Sequence, residues 1–363
     1  MLFLLLGFAA SSFITLLVVR SAHTHSHLSA DSDMSAPQRF HSSPVPRVGG
    51  LGIVLGLALV LGLLWKRGGD ATWTGLTLVG CALPAFLAGL AEDITKRQSP
   101  RRRLFFTAVS AGLALWALDA AIARTDIPGL DWLVSFGVGA AVVTVFAVAG
   151  VANAVNIIDG FNGLAAMCVV MMLGAIAYVA FQAGDPVIAT CALAGLGAVM
   201  GFFVWNFPAG LIFLGDGGAY FLGFFVAELG ILLLQRNPDV SPMFPLLLCI
   251  YPIFETLFSM YRRKFLRGRP MVAPDGVHLH SLVYRRLVRW AAGRRGTRTA
   301  TMRNSMTAPY LWTLCMFSIV PAMVYWDNTP ALASFIVMFG MAYVFIYGRI
   351  VRFKVPDWLI VRR

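Results

Sequence analysis

The chain has 363 residues, of which 58% are hydrophobic and 13% charged, against roughly 45–50% and 25% in an average soluble domain. Its mean hydropathy of +0.76 means more apolar surface than a water-facing fold of this length could bury, which excludes an ordinary soluble protein. Lysine and arginine outnumber aspartate and glutamate 29 to 17, a net charge of +12, so the placement of these few charges becomes the informative quantity.

A bilayer-crossing helix needs about 20 mostly apolar residues. In chain order, eleven segments qualify: 2–19, 48–65, 74–91, 104–123, 132–151, 162–181, 187–206, 211–234, 242–261, 311–326 and 330–348. The tenth is short and abuts the eleventh, so ten is the alternative count. Trp65, Trp73, Trp132, Trp205, Trp312 and Trp326 fall at or near the predicted ends, where an indole half in water is favoured. The expected fold class is therefore all-α, a polytopic integral membrane protein.

Orientation follows from the basic residues in alternate breaks. One side holds 25 of them, at Arg20 to Arg47, Lys96 to Arg103, Arg262 to Arg303 and from Arg349 onward; the other holds Lys66, Arg67, Arg124 and Arg236. Basic residues stay on the cytoplasmic face, which predicts an outside N-terminus and a cytoplasmic C-terminus. The first apolar run has no basic residue before it and Arg20 after it, so it reads as an uncleaved N-out anchor rather than a secretory signal. Cys81, Cys168, Cys191, Cys249 and Cys315 all lie in predicted spans as small apolar residues, with no CxxC signature. With neither a repeat nor a linker, residues 1–363 read as one transmembrane domain, its cytoplasmic loops at 20–47, 92–103, 152–161, 207–216 and 262–309. The last loop has a single acid, Asp275, among twelve basic residues. Such a segment suits an anionic lipid surface or phosphate recognition by arginine.

Ionisable and carboxamide side chains are costly in or beside hydrocarbon, so their clustering is a functional signal. Glu92 and Asp93 end the third span; Asn153, Asn156 and Asp159 follow the fifth; Asp216 opens the eighth between Gly215, Gly217 and Gly218. His278 and His280, and the stretch His41 to Gly50 containing Arg47, occupy the two long inner segments. Each group also has a local reading. Glu92 and Asp93 could pair with Lys96 or Arg97, the asparagines could be interhelical hydrogen-bond glue, Asp216 could mark a tight turn, and the histidines could be a loop pair. A shared inner-face site explains all of them once. His23 to His27 reads as a solvated loop. Glu228, in mid-span, predicts an interhelical hydrogen bond, and Glu255 either an ion pair with Arg262 or Arg263 or a catalytic role.

The order HSSPVPRVGGLG, AED with a downstream RRRL, NAVNIIDGFNGLA, FLGDGGAYFLG and HLH spans nearly the whole chain. It resembles the polyprenyl-phosphate N-acetylhexosamine-1-phosphate transferases (glycosyltransferase family 4), and its single HLH is similar to the GlcNAc-type branch. The resemblance implies transfer of N-acetylhexosamine 1-phosphate from a UDP-N-acetylhexosamine, foremost UDP-GlcNAc, to undecaprenyl phosphate. UMP is released, and the product is the lipid-linked pyrophosphate sugar that starts a cell-surface polysaccharide such as O-antigen.

It further implies Mg2+, or Mn2+ in its place, at Asp216 and Asn156, and catalytic roles for Asp93, Glu92 and Asp159. Asn153, Asn162, His278, His280, Arg285, Arg286 and Arg47 would bind substrate. The implied partners are the two substrates and the bilayer, with a homodimer allowed and no nucleic acid, in a bacterial inner membrane with the site on the cytoplasmic face. Glu92 and Asn162 stand where many members have aspartate, so Asp93 is the favoured acid of its pair. The acceptor phosphate is mostly dianionic at pH 7, which favours direct in-line attack with Asp93 positioning it or taking a residual proton; a covalent aspartyl-phosphate is the alternative route. The competing functions are a transporter or flippase for an anionic solute and a phospho-MurNAc-pentapeptide transferase.

Overall fold

In the computed structural model, residues 1–21, 45–266, 268, 276–288 and 297–352 are described. Each predicted span falls on helix: α1 (Leu2–Arg20), α2 (Gly49–Leu63), α3 (Asp70–Thr95), α4 (Pro100–Leu118), α5 (Gly137–Ile158), α6 (Leu164–Gln182), α7 (Pro186–Asn206), α8 (Gly215–Arg236), α9 (Ile250–Tyr261), α10 (Thr297–Val324) and α11 (Thr329–Val351). Eight of the described helices are long and apolar enough to cross a membrane. The other three are α2, a shorter apolar helix, α4, which opens on Arg101 to Arg103, and α9, where the predicted span 242–261 is divided into Met243–Leu248 and Ile250–Tyr261 at Cys249. Side chains such as Trp116, Phe146 and Phe181 stay at least 75% exposed on the outside, as suits a helical protein whose surrounding solvent is lipid. The chain is a polytopic helical membrane protein.

α8 is the centre of the fold, with every residue from Gly215 to Leu234 buried. It packs against α3, α5, α2 and α6. A Cβ on Gly89 of α3 would come within 2.5 Å of the Gly217 backbone nitrogen, and one on Gly50 of α2 within 2.5 Å of the Gly218 Cα. Backbones can approach this closely only where side chains are missing, the small-residue packing expected between membrane helices. The N-terminal end of α8 is thus clamped between α2 and α3. At the opposite end of the bundle, Asp185 caps α7 by accepting from Val187 and Ile188 N–H at 3.1 Å and pairs with Arg236 Nε at 2.6 Å, tying α7 to the end of α8.

Several boundaries differ from the expected ones in ways that matter to the site. α5 begins at Gly137 because Pro128–Val134 forms its own short helix, and it runs on to Ile158, carrying Asn153 and Asn156 on its last turns. α4 starts at Pro100, with the Ser99 hydroxyl capping Arg102 N–H at 3.3 Å, so Arg101 to Arg103 are helical rather than loop. α10 starts at Thr297, inside the predicted loop 262–309.

Candidate functional site

Three backbone hydrogen bonds deliver Arg47. Phe213 N–H donates to Pro46 O at 2.9 Å, Gly49 N–H to Phe213 O at 2.9 Å and Gly50 N–H to Leu214 O at 3.0 Å, so residues 46–50 lie along the approach to α8. Gly215 turns the chain into α8 at φ +78, a left-handed geometry that favours glycine. A Cβ there would meet the Arg47 carbonyl oxygen at 2.1 Å and Asp93 Oδ2 at 2.6 Å.

Asp93 lies one helical turn beyond Gly89, and the close α3–α8 crossing brings its carboxylate beneath the first turn of α8. Asp93 Oδ1 accepts from Asp216 N–H and Oδ2 from Gly217 N–H, both at 2.9 Å, and the residue is 1% exposed. The carboxylate therefore satisfies two of the orphan donors of that helix start. Above it, Asp216 Oδ1 accepts from Arg47 Nη2 at 3.3 Å and Asn156 Nδ2 at 3.2 Å, while Oδ2 pairs with Arg103. Arg103 also lies over the Tyr220 ring, 5.8 Å from its centroid, and Tyr220 donates its hydroxyl to Asn153 Oδ1 at 3.2 Å.

Asp159 follows α5 directly and is half-buried. Desolvation raises its carboxyl to about 7, opposed by the nearby Arg47 guanidinium, and no hydrogen bond to it is present among the described residues. Beside it, His280 packs on Phe161 at 5.5 Å between ring centroids, and its Nε2 lies 3.2 Å from where a Gly160 Cβ would sit. His278 stacks on His280 at 5.1 Å.

The structure therefore brings Arg47, Asp93, Asn156, Asp159 and Asp216 together, with Asn153 one turn away and the histidine pair on the adjoining turn. The interhelical bonds expected of the asparagines exist, but they end on Asp216 and Tyr220, residues of the same cluster. Both oxygens of Asp93 hold backbone N–H groups, so the acid expected to be catalytic also fixes the start of α8. Of the other expected site residues, the resemblance implies a catalytic role for Glu92 and substrate binding for Asn162, Arg285 and Arg286. Glu92 Oε2 accepts from Gln98 N–H at 2.6 Å and holds the turn after α3, with no ion pair to Arg97 among the described residues. Asn162 is 4% exposed, donates its backbone N–H to Asn304 Oδ1 at 2.8 Å and its side-chain amide to Ser305 Oγ at 3.1 Å, fastening the 159–163 turn to α10. Arg286 donates to Ile350 O at 2.6 Å and to Val351 O, at the end of α11. Arg285 is exposed.

Two participants escaped the sequence reading as individuals. Arg103 was visible only within the RRRL run, and Tyr220 only as the aromatic four residues after Asp216, hence on the same helix face. Glu255 departs from expectation as well: its partners are His278 Nδ1 at 3.0 Å, Leu279 N–H at 3.0 Å and the Tyr343 hydroxyl at 2.8 Å, not Arg262 or Arg263. Glu228 is fully buried, and its carboxyl oxygens have no hydrogen-bond partner among the described residues, so the interhelical bond expected of it is absent there.

Chemically, the cluster sets two guanidinium groups against carboxylates at the mouth of a buried helix start, an arrangement suited to anionic oxygens. Asp216 adds a carboxylate and Asn156 a carboxamide whose N–H2 donates to it; carboxylate and carboxamide oxygens are donors a hard divalent cation takes. No group of three or more His, Cys, Asp or Glu side chains able to hold a metal occurs among the described residues. A cation here would thus take few protein ligands, as Mg2+ commonly does beside phosphates.

Residues 75–234 match the family profile described as Glycosyl transferase family 4. Over 250 residues the chain is 31% identical to the probable undecaprenyl-phosphate N-acetylglucosaminyl 1-phosphate transferase of Bacillus subtilis (strain 168), covering 68% of each chain. It is 26% identical over 261 residues to the undecaprenyl-phosphate alpha-N-acetylglucosaminyl 1-phosphate transferase of Thermotoga maritima, covering 71% of this chain and 74% of that one. It is 33% identical over 201 residues to the phospho-N-acetylmuramoyl-pentapeptide-transferase of Geobacillus kaustophilus, covering 52% and 61% respectively. The residues that build the α3–α5–α8 cluster fall within the matched segment, and the chain belongs to glycosyl transferase family 4.

Proposed function

We propose that this protein transfers N-acetylglucosamine 1-phosphate from UDP-GlcNAc to undecaprenyl phosphate. An oxygen of the acceptor phosphate attacks the β-phosphorus of the donor, the bond to the bridging oxygen breaks, and UMP leaves with that electron pair. The observation that carries the reading is the pairing of Asp216 with Arg47, Arg103 and Asn156 at the start of α8. The lengths of identity to the two GlcNAc relatives, 68% and 71% of this chain, support the GlcNAc branch over the pentapeptide branch, at 52%.

Phosphoryl transfer asks chiefly for alignment and charge neutralisation. Arg47 and Arg103 supply donors matched to phosphate oxygens. Asp216 and Asn156 would hold Mg2+, which when bound neutralises diphosphate charge. Asp93 keeps the first turn of α8, and with it Asp216, in place. Asp159, half-buried and raised toward neutrality, is the carboxylate suited to take a residual proton from the acceptor. A covalent aspartyl-phosphate on Asp93 would weaken at least one of its two bonds to α8, since the attacking oxygen already holds a backbone N–H; direct attack leaves both intact. The site would lie on the cytoplasmic face of a bacterial inner membrane, in line with the 25 basic residues assigned to that side.

The reading is tested with purified protein, undecaprenyl phosphate, Mg2+ and a panel of UDP-sugars, following UMP. The expected result is release with UDP-GlcNAc and at least a hundredfold loss in Asp216→Ala, about the cost of 2.7 kcal/mol or more in the transition state. No UMP from any UDP-N-acetylhexosamine would overturn it.

A further inference from the structure

We infer that Glu255 is a positioning residue, setting the His278–His280 pair in place for the sugar-nucleotide donor; the inference rests on the proposed transfer reaction. Glu255 lies on α9, 1% exposed, yet both of its oxygens are engaged. Oε1 accepts from His278 Nδ1 and from Leu279 N–H, each at 3.0 Å, and Oε2 accepts from the Tyr343 hydroxyl at 2.8 Å. One carboxylate thus ties α9, α11 and the segment that follows Val277.

The geometry fixes more than location. A ring nitrogen facing a carboxylate oxygen carries the proton, so His278 is protonated at Nδ1 and its other ring nitrogen is the one left for a ligand. The ring plane is set a second time by the stack on His280, 5.1 Å between centroids and 11° between planes. His280 in turn abuts Gly160 and Phe161, the residues directly after Asp159. A continuous set of contacts therefore runs from Tyr343 and Glu255 through both histidines to the turn that carries Asp159. The surrounding support is firm: Arg262, 4% exposed, donates to Val277 O and to the Tyr347 hydroxyl, anchoring the residue just before His278. Buried carboxylates with every oxygen satisfied hold their partners rigidly, and removing one partner leaves the others unsatisfied.

The test measures kcat and KM for UDP-GlcNAc at saturating undecaprenyl phosphate, on full-length protein in detergent. Glu255→Gln is expected to raise KM about tenfold, the effect of roughly 1.4 kcal/mol, with kcat changed much less. Tyr343→Phe, which deletes one hydroxyl and keeps the ring, is expected to raise KM about threefold, and it carries the test should Glu255→Gln fail to fold. In the double variant His278→Ala with Glu255→Gln, the loss should be no greater than in His278→Ala alone, because the two act as one unit. Unchanged KM in Tyr343→Phe, or losses that multiply in the double variant, would overturn the positioning role. A wild-type protein that releases no UMP would instead overturn the reaction on which it rests.

Discussion

At the scale of single residues, neighbouring acids divide their work by what their oxygens touch. Asp93 accepts the first N–H groups of α8, whereas Glu92 holds Gln98. Asp93→Asn would aim an amide N–H2 at one of those donors, so it is expected to lose most turnover and to lower the melting temperature, while Glu92→Asp retains substantial turnover. Parallel steady-state assays check this, and equal losses would contradict it. Asp159 supplies the pH dependence. Its carboxyl sits near 7 rather than 3.8, raised by desolvation against the pull of Arg47. The folded protein then keeps a proton that the unfolded chain releases, so ionising this group costs stability as pH rises from about 4 to about 7. Asp159→Asn should therefore melt above the wild type at pH 8, by a margin that narrows as the pH falls and closes near pH 4, and have lower activity. A melting difference that does not change with pH would count against this. The acids and asparagines were legible in the sequence because polar groups beside hydrocarbon stand out. Their division of labour was not, since it depends on which backbone N–H groups the fold brings near.

At the scale of elements, the site exists because α3 and α8 cross at glycines. Gly89 sits against Gly217 with no room for a Cβ, and Asp93 follows one turn later. Gly89→Val should force the helices apart, remove the reach of Asp93 to α8 and abolish UMP release, while the variant still inserts in the membrane. Full activity in that variant would contradict the crossing as the device that builds the site. Hydropathy located each of these helices because burial in lipid selects apolar runs. It misplaced the end of α5, since Asn153 and Asn156 look like the end of a span yet continue the helix, their amide groups engaged by Tyr220 and Asp216. Likewise Asn162 resembles a site residue in its motif but is buried against Asn304 and Ser305, partners more than 140 positions away that no local pattern discloses.

At the scale of the whole molecule, the +12 charge is an orientation signal as well as a substrate signal. Lys66 and Arg97 are both exposed and flank α3 at opposite ends. A cysteine introduced as Arg97→Cys should react with a membrane-impermeant maleimide only in inverted vesicles, and Lys66→Cys only in right-side-out cells; the reverse pattern would contradict a cytoplasmic site. The reaction itself is read most directly with UDP-GlcNAc carrying a radioactive β-phosphorus, incubated with undecaprenyl phosphate and the purified protein. Attack at the β-phosphorus predicts that the label moves into the lipid-linked pyrophosphate sugar while unlabelled UMP is released. Label leaving as UDP, or remaining entirely in the donor, would contradict the account.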